Sequence, residues 1–220
     1  MLRLSTFYSE NSTFIFKSSK MESEASTAPQ YWDKRYLNNE TGWDMKQVSP
    51  PLKGYIDTLE NKDLKILIPG CGNAYEAEYL LEKGFDNVTL IDFSKVVTEK
   101  LKDKYKGEPI SIINENFFDL QGKYDLILEQ TFFCALDPSL REKYVKKCYD
   151  LLNDRGKIAG VLFNKRFSPT EPPFIATEEE YRKLFEPFFI FLKFENYYNS
   201  IAARMGYELF FEFEKKLRGL

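Results

Sequence analysis

Leu64-Lys65-Ile66-Leu67-Ile68-Pro69-Gly70-Cys71-Gly72-Asn73-Ala74 is the stretch on which the reading of the fold turns. Leu64 to Ile68 is a continuous apolar run, as a strand buried on both faces requires. It breaks at Pro69-Gly70-Cys71-Gly72. A helical pattern follows over Ala74 to Lys83 and ends at Gly84, a C′ glycine. Strand, glycine turn and helix start in succession make the first half of a βαβ unit. The glycines let a ligand approach the backbone, and the helix start offers N–H groups.

The alternation continues beyond it. Val88 to Ile91 reads as a second strand and Ser94 to Lys106 as a helix, with Val97, Leu101 and Tyr105 on one stripe. Ile110 to Ile113 and Tyr124 to Leu128 read as strands, Pro138 to Leu152 as a helix, and Lys157 to Phe163 as a fifth strand. Thr177 caps a helix to about Glu186, and strands follow over Phe189 to Phe194 and Tyr207 to Phe213. This order predicts an α/β fold: a Rossmann-like, doubly wound, mostly parallel sheet of seven strands. Only the short link from Tyr197 to Gly206 separates the last two strands. They are expected to pair antiparallel, which gives the sheet an antiparallel edge strand. Upstream, Ser49-Pro50-Pro51 predicts a helix to Leu59 with Ser49 as N-cap, and Tyr31 to Leu37 reads as a short helix. Residues 1–29 are rich in Ser and Thr, lack periodicity and are expected to be a disordered tail. Their apolar cluster Phe14-Ile15-Phe16 is too short for a signal peptide, and Met21 opens a stretch that reads naturally as a start. Residues 30–220 are read as one domain.

Composition excludes several functions. Lys plus Arg number 31 and Asp plus Glu 34, a net charge of −3 with no basic block, which speaks against a nucleic-acid partner. There is no histidine, which removes Ser-His-Asp and Cys-His nucleophiles and every His-containing zinc site. Cys71, Cys134 and Cys148 fit neither a disulfide framework nor a Cys₄ metal site, so a reducing, cytoplasmic setting and no metal are expected. No apolar run approaches the roughly 18 residues of a membrane span. The expected partner is a small-molecule substrate, and the chain is expected to be a monomer. The 16% of aromatic residues reads as a Phe-rich core.

The glycine turn lacks the third glycine of the dinucleotide fingerprint, and Tyr75 stands in its place. A plain tight turn would also show Gly-x-Gly. Asp92 ends the second strand 20 residues beyond Gly72. There a carboxylate accepts hydrogen bonds from a ribose diol, or else caps the next helix, a role open to Ser94. Together the two features favour an adenosine-containing ligand. The missing glycine tilts the choice from a nicotinamide cofactor toward S-adenosylmethionine, which has no pyrophosphate. After the third strand, Asn116 is placed to face an adenine edge and Phe117 to pack on its ring. Alone, that stretch is an ordinary polar loop.

Four stretches then match a family. They are Tyr31-Trp32-Asp33-Lys34-Arg35-Tyr36 with Gly42-Trp43-Asp44 and Ser49-Pro50-Pro51; Ile68 to Gly72 with Asp92; Glu129-Gln130-Thr131-Phe132-Phe133-Cys134-Ala135-Leu136-Asp137-Pro138 with Arg141; and Asn199, Ile201, Arg204, Gly206 and Glu208. The chain resembles the class I S-adenosylmethionine-dependent methyltransferases, and among them the thiopurine S-methyltransferase family with its thiol and halide branch. The resemblance implies S-adenosyl-L-methionine as cofactor and an N-terminal helical lid whose Trp32 and Trp43 fold over it. It also implies cofactor contacts at Gly70, Cys71, Gly72, Asp92, Phe93, Asn116 and Phe117. Glu129 and Gln130 are implied at the methionine end. Where this chain has Gln130, the thiopurine enzymes place Arg and the thiol and halide branch often places Tyr, so the acceptor is the open question. Gln130, Phe133 and Phe174 are the candidates for the acceptor pocket, Phe174 because it follows Pro172-Pro173 at the ligand end of the sheet. The expected reaction moves a methyl group to a thiol, hydrosulfide, halide or thiopurine-like acceptor. The alternatives are methyl transfer to another small molecule, to a nucleic-acid base or to a protein, a nicotinamide-dependent reductase, and a binding protein without turnover.

Overall fold

The structure, a computed structural model, describes residues 28–165, 172–196 and 199–217. Residues 1–27 of the expected tail lie outside the described residues. Among these, seven strands form one sheet: β1 (Ile66–Pro69), β2 (Val88–Asp92), β3 (Ile110–Asn114), β4 (Tyr124–Gln130), β5 (Leu152–Phe163), β6 (Phe189–Asn196) and β7 (Glu208–Lys215). Their order is β3-β2-β1-β4-β5-β7-β6. The first five are parallel, and β7 runs antiparallel to both β5 and β6. The antiparallel pairing expected at one edge is present, with β7 one place in from the outermost β6. The helices are α1 (Pro29–Leu37), α2 (Pro50–Ile56), α3 (Tyr75–Glu82), α4 (Lys95–Lys104), α5 (Arg141–Leu151) and α6 (Glu178–Phe185).

The boundaries differ from the sequence reading where capping chemistry differs. Pro29 occupies the first turn of α1, so that helix opens earlier than Tyr31. Ser49 stands at the N-cap of α2, but its hydroxyl makes no cap hydrogen bond; its N–H donates instead to Glu76 Oε1 at 3.0 Å. Ser94 does cap α4, accepting from Val97 N at 3.2 Å, which leaves Asp92 without that duty. Thr177 and Glu180 form a reciprocal capping box on α6.

Two apolar layers sandwich the sheet. One contains Phe133, Tyr144, Tyr181, Phe185, Phe189, Phe211 and Phe213, all fully or almost fully buried. The other contains Leu52, Ile56, Ile68, Leu80, Phe85, Leu90 and Phe210. Alternation along β7 sends Phe211 and Phe213 to one layer and Phe210 to the other. Phe185 meets Phe133, Phe189, Phe211 and Phe213 with ring centroids 5.3–6.2 Å apart. Truncating it leaves a cavity that its rigid neighbours cannot fill. Phe185→Ala is expected to lose about 3–5 kcal/mol, read as a lower urea midpoint at an unchanged m-value.

Candidate active site

The sheet reverses its winding between β1 and β4, and ligands of doubly wound sheets sit at the carboxyl ends of the strands flanking such a point. A cavity of about 800 Å³ opens there. It is lined by the β1–α3 turn, the ends of β2 and β4, the loops after β3 and β4, and the N-terminal segment. That volume lies within the range of small-molecule sites.

The turn after β1 is built on backbone that L residues avoid. Gly70 has φ +55, Gly72 φ +50, and Ala74, at the N-cap of α3, φ +54. Side-chain space is also closed. A Cβ at Gly70 would fall into the Phe132 ring, and one at Gly72 would stand 2.7 Å from the Tyr36 hydroxyl oxygen. Both glycines are therefore demanded by the protein itself, before any ligand is considered. The turn is tied to β2 by the Gly72 N–H, which donates to Asp92 Oδ2 at 3.2 Å, and by Cys71 N to Ile91 O at 3.3 Å.

Asp92 is 8% exposed and lines the cavity. Its Oδ1 accepts from Ser94 N at 2.9 Å. Burial pushes its pKa up to about 6; the Ser94 and Gly72 N–H groups pull against that, and the nearby Asp33 charge adds to it. A carboxylate has about four acceptor positions, which the Gly72, Ser94 and Phe93 N–H groups do not fill, so the group is held in place with capacity to spare. Cys71, Gly72, Phe93, Asn116 and Phe117 also line the cavity. Asn116 is exposed, and its Oδ1 accepts from Phe118 N at 3.0 Å. Phe117 is buried edge-on to Phe132, with centroids 5.4 Å apart.

Trp32 and Trp43 meet edge-on at 5.3 Å, and Tyr36 meets Trp43 at 5.8 Å. All three line the cavity and make its aromatic roof. Two carboxylates fasten this segment. Asp33 Oδ1 accepts from Ser94 Oγ at 2.5 Å and Val96 N at 3.2 Å. Asp44 Oδ2 accepts from Asn73 Nδ2 at 2.8 Å and the Tyr75 hydroxyl at 3.3 Å. From the far end of the chain, Arg204 Nη2 donates to the Trp43 carbonyl at 2.6 Å, while Nη1 pairs with Glu208 at 3.3 Å. The sequence does not single out Asp33, Tyr36, Asp44 or Arg204 as site residues; each lies inside a motif stretch, as Phe132 of the apolar Phe132-Phe133-Cys134 run does, and that is the only signal for them.

The loop after β4 separates the remaining candidates. Gln130 lines the cavity. Its Oε1 accepts from the Thr131 hydroxyl at 2.9 Å, and its buried Nε2 has no hydrogen-bond partner among the described residues. Thr131 has φ +60, an unfavourable conformation for a β-branched residue, and it marks a backbone bent to shape the site. Phe133 does not line the cavity. It is 0% exposed in the core against Tyr144, Tyr181 and Phe185, and Phe132 and Cys134 take the cavity wall instead. A 3₁₀ turn begins at Phe133, so adjacent side chains diverge. Phe174 is also absent from the wall, while Pro172 and Pro173 are on it. The Phe174 N–H donates to Cys134 O at 2.6 Å and its carbonyl accepts from Arg141 at 3.0 Å, so its role in the fold is to close the loop. Glu129 is 0% exposed and not on the cavity wall. Its Oε1 accepts from Phe132 N at 2.7 Å and Phe133 N at 2.8 Å, which staples the loop from beneath. Burial pushes its pKa up to about 7 against those two N–H donors.

No cluster of His, Cys, Asp and Glu able to hold a metal occurs among the described residues, and no helix of theirs is long and apolar enough to cross a membrane.

Asp92 and Glu129 both have folded pKa values above the ordinary carboxylate range of about 4. The folded chain then binds more protons than the unfolded chain between about pH 4 and 7. Their contribution is most favourable below pH 4 and is lost as pH rises through 6 to 7. Thermal melts of the ligand-free protein are expected to show Glu129→Gln with a shallower pH dependence than the parent over that window. Gly70→Ala is expected to cost about 1–3 kcal/mol from strain and overpacking, measured by denaturant titration.

A family model described as thiopurine S-methyltransferase matches residues 27–209. Probable thiol methyltransferase 2 of Arabidopsis thaliana is 28% identical over 162 residues, covering 71% of each chain. Thiocyanate methyltransferase 1 of Brassica oleracea is 26% identical over 184 residues, covering 80% of this chain and 81% of the relative. Among solved structures, 1,6-didemethyltoxoflavin-N1-methyltransferase of Burkholderia thailandensis superposes with a TM-score of 0.64 at 16% identity, covering 98% of this chain and 94% of that one, a likeness of fold. With the family match running from the N-terminal roof to the first residues of β7, the chain belongs to the thiopurine S-methyltransferase family.

Proposed function

We propose that the cavity binds S-adenosyl-L-methionine and that the domain, residues 30–220, transfers its methyl group to a small soft nucleophile: a thiol, hydrosulfide, a halide or a thiopurine-like acceptor. One observation carries the reading. A buried, pre-oriented carboxylate, Asp92, stands where the sheet reverses its winding, opposite a glycine turn and beneath an aromatic roof.

The residues fit that cofactor. Asp92 keeps acceptor capacity for a ribose diol, and Phe93, Asn116 and Phe117 line the wall where a purine would lie. Tyr75, in the place of the third fingerprint glycine, lines the cavity and turns its hydroxyl to Asp44; a bulky side chain in that place weighs against a pyrophosphate and so against a nicotinamide cofactor. When bound, S-adenosylmethionine supplies a methyl group already activated on a sulfonium. The chain's own task is then to orient the reactants, exclude water and leave the acceptor as its anion. Trp32 and Trp43 cover the cavity and offer electron-rich faces to a cation, worth about 0.5–2 kcal/mol. Phe132, Cys134, Leu136, Leu140, Phe163, Pro172 and Pro173 give the other side an apolar wall, which suits weakly hydrated anions. Gln130 puts a neutral side chain on that cavity, so it provides no fixed cation that would select for a carboxylate. With no histidine in the sequence, the usual general base is missing. A thiol of pKa about 8.5 needs little help to ionise. The names of the thiol and thiocyanate relatives support this acceptor class over amines or macromolecules. The net charge of −3 supports a small-molecule partner with no nucleic acid, and the unpaired cysteines a cytoplasmic setting; we read the chain as a monomer.

Asp92→Ala is expected to weaken S-adenosylmethionine binding by roughly 1.5–3 kcal/mol in calorimetric titration. Because the acceptor form is the carboxylate, affinity of the parent protein should fall as pH drops below about 6. Release of S-adenosylhomocysteine with a panel of halides, hydrosulfide, aromatic thiols, thiopurines and amines tests the acceptor. Turnover is expected with the soft anions and to rise with pH toward the thiol pKa. Trp43→Ala should depress every acceptor, whereas substitution of Gln130 should reorder them. Turnover confined to amines or a macromolecule would overturn the acceptor class.

A further inference from the structure

We propose that Asp33 is a positioning residue that latches the N-terminal roof onto the first turn of α4 beside Asp92, so that roof and ribose site close as one unit. The inference rests on reading the cavity as the cofactor site.

The argument starts from unpaired donors. The first N–H groups of any α-helix have no partner within it. Ser94 satisfies one of these on α4 by accepting from Val97 N. Asp33, 61 residues earlier in the chain, satisfies a second by accepting from Val96 N, and it takes the Ser94 hydroxyl hydrogen as well. The helix thus has a local cap and a remote one. Negative charge at a helix N-terminus is favourable, which lets Asp33 and Asp92 stand near each other there.

Ser94 is the joint. Its backbone N–H donates to Asp92 Oδ1 and its side chain donates to Asp33 Oδ1. Two cavity-lining side chains flank Asp33 on α1. Trp32 precedes it and meets Trp43, and Tyr36, one turn on, lies against Gly72. Releasing Asp33 therefore removes the anchor on the α1 side of both aromatic contacts, while Asp44 and Arg204 still hold the Trp43 side. The titratable groups facing Asp92 are Asp33 and Tyr36 from α1 and Cys71 from the turn. Among these the Asp33 carboxylate, a like charge, disfavours ionised Asp92.

The test uses the full chain with two variants. Asp33→Ala removes the latch, while Asp33→Asn keeps an acceptor oxygen and removes the charge. The first measurement is tryptic cleavage at Lys34 and Arg35 in the ligand-free protein. The second is calorimetric titration with S-adenosylhomocysteine between pH 5 and 8. Asp33→Ala is expected to be cleaved faster and to bind about fivefold more weakly, the size of a lost cap. Asp33→Asn is expected to keep parental protection, with the pH midpoint of binding moved lower. Asp33→Ala cleaved at the parental rate and binding as the parent does overturns the proposal. So does an unmoved midpoint in Asp33→Asn, which needs only the milder variant to fold. If the parent binds no S-adenosylhomocysteine at any pH, the cofactor reading falls, and the cleavage rates still decide the latch.

Discussion

The hydrogen bond from the Gly72 amide to Asp92 joins the two βα turns on which the site is built. It holds a turn containing three left-handed residues, Gly70, Gly72 and Ala74, against the end of the neighbouring strand. Positive φ costs little at glycine and more at Ala74, so the turn persists because its surroundings over-determine it. Phe132 presses on Gly70 from one side and Tyr36 on Gly72 from another. A single carboxylate then serves two ends: it fixes the turn through one oxygen and the start of the next helix through the other. Its raised pKa is the cost of being buried for that work.

The roof depends on the same turns. Asp33 accepts from the β2–α4 turn and Asp44 from the β1–α3 turn, while Arg204 reaches the Trp43 carbonyl from beyond β6. Segments from both ends of the chain therefore converge over one cavity. The arrangement places aromatic faces above and a Phe132-based apolar wall at the side. Such an enclosure favours cations that are diffuse and anions that shed water easily. This is the polarity that a sulfonium and a soft nucleophile need, and it does without an imidazole.

The loop after β4 shows how little of its design is on the cavity surface. Glu129 holds the Phe132 and Phe133 amides from below, and Thr131 takes an unfavourable φ. Phe174 and Arg141 close the loop from the other side. What faces the cavity, Gln130 and Phe132, is positioned by residues that do not.

The seven strands, their order along the chain, the glycine turn and Asp92 were legible from the amino acids alone. Buried strands, helix stripes and tight turns are local patterns, and the Gly72-to-Asp92 spacing spans one βαβ unit. The separate fates of Phe132 and Phe133 were not legible. Both sit in one apolar run, and only the 3₁₀ turn decides which of them meets the cavity and which the core. Glu129 became a loop staple through the amides of the turn after β4, and Phe174 through Cys134 of that turn and Arg141 of α5. Asp33 reads as an ordinary helix-surface acid until folding brings it to Ser94, 61 positions away. Local periodicity determined the scaffold of this protein; which side chains share the cavity was decided by contacts between distant segments, which no local pattern encodes.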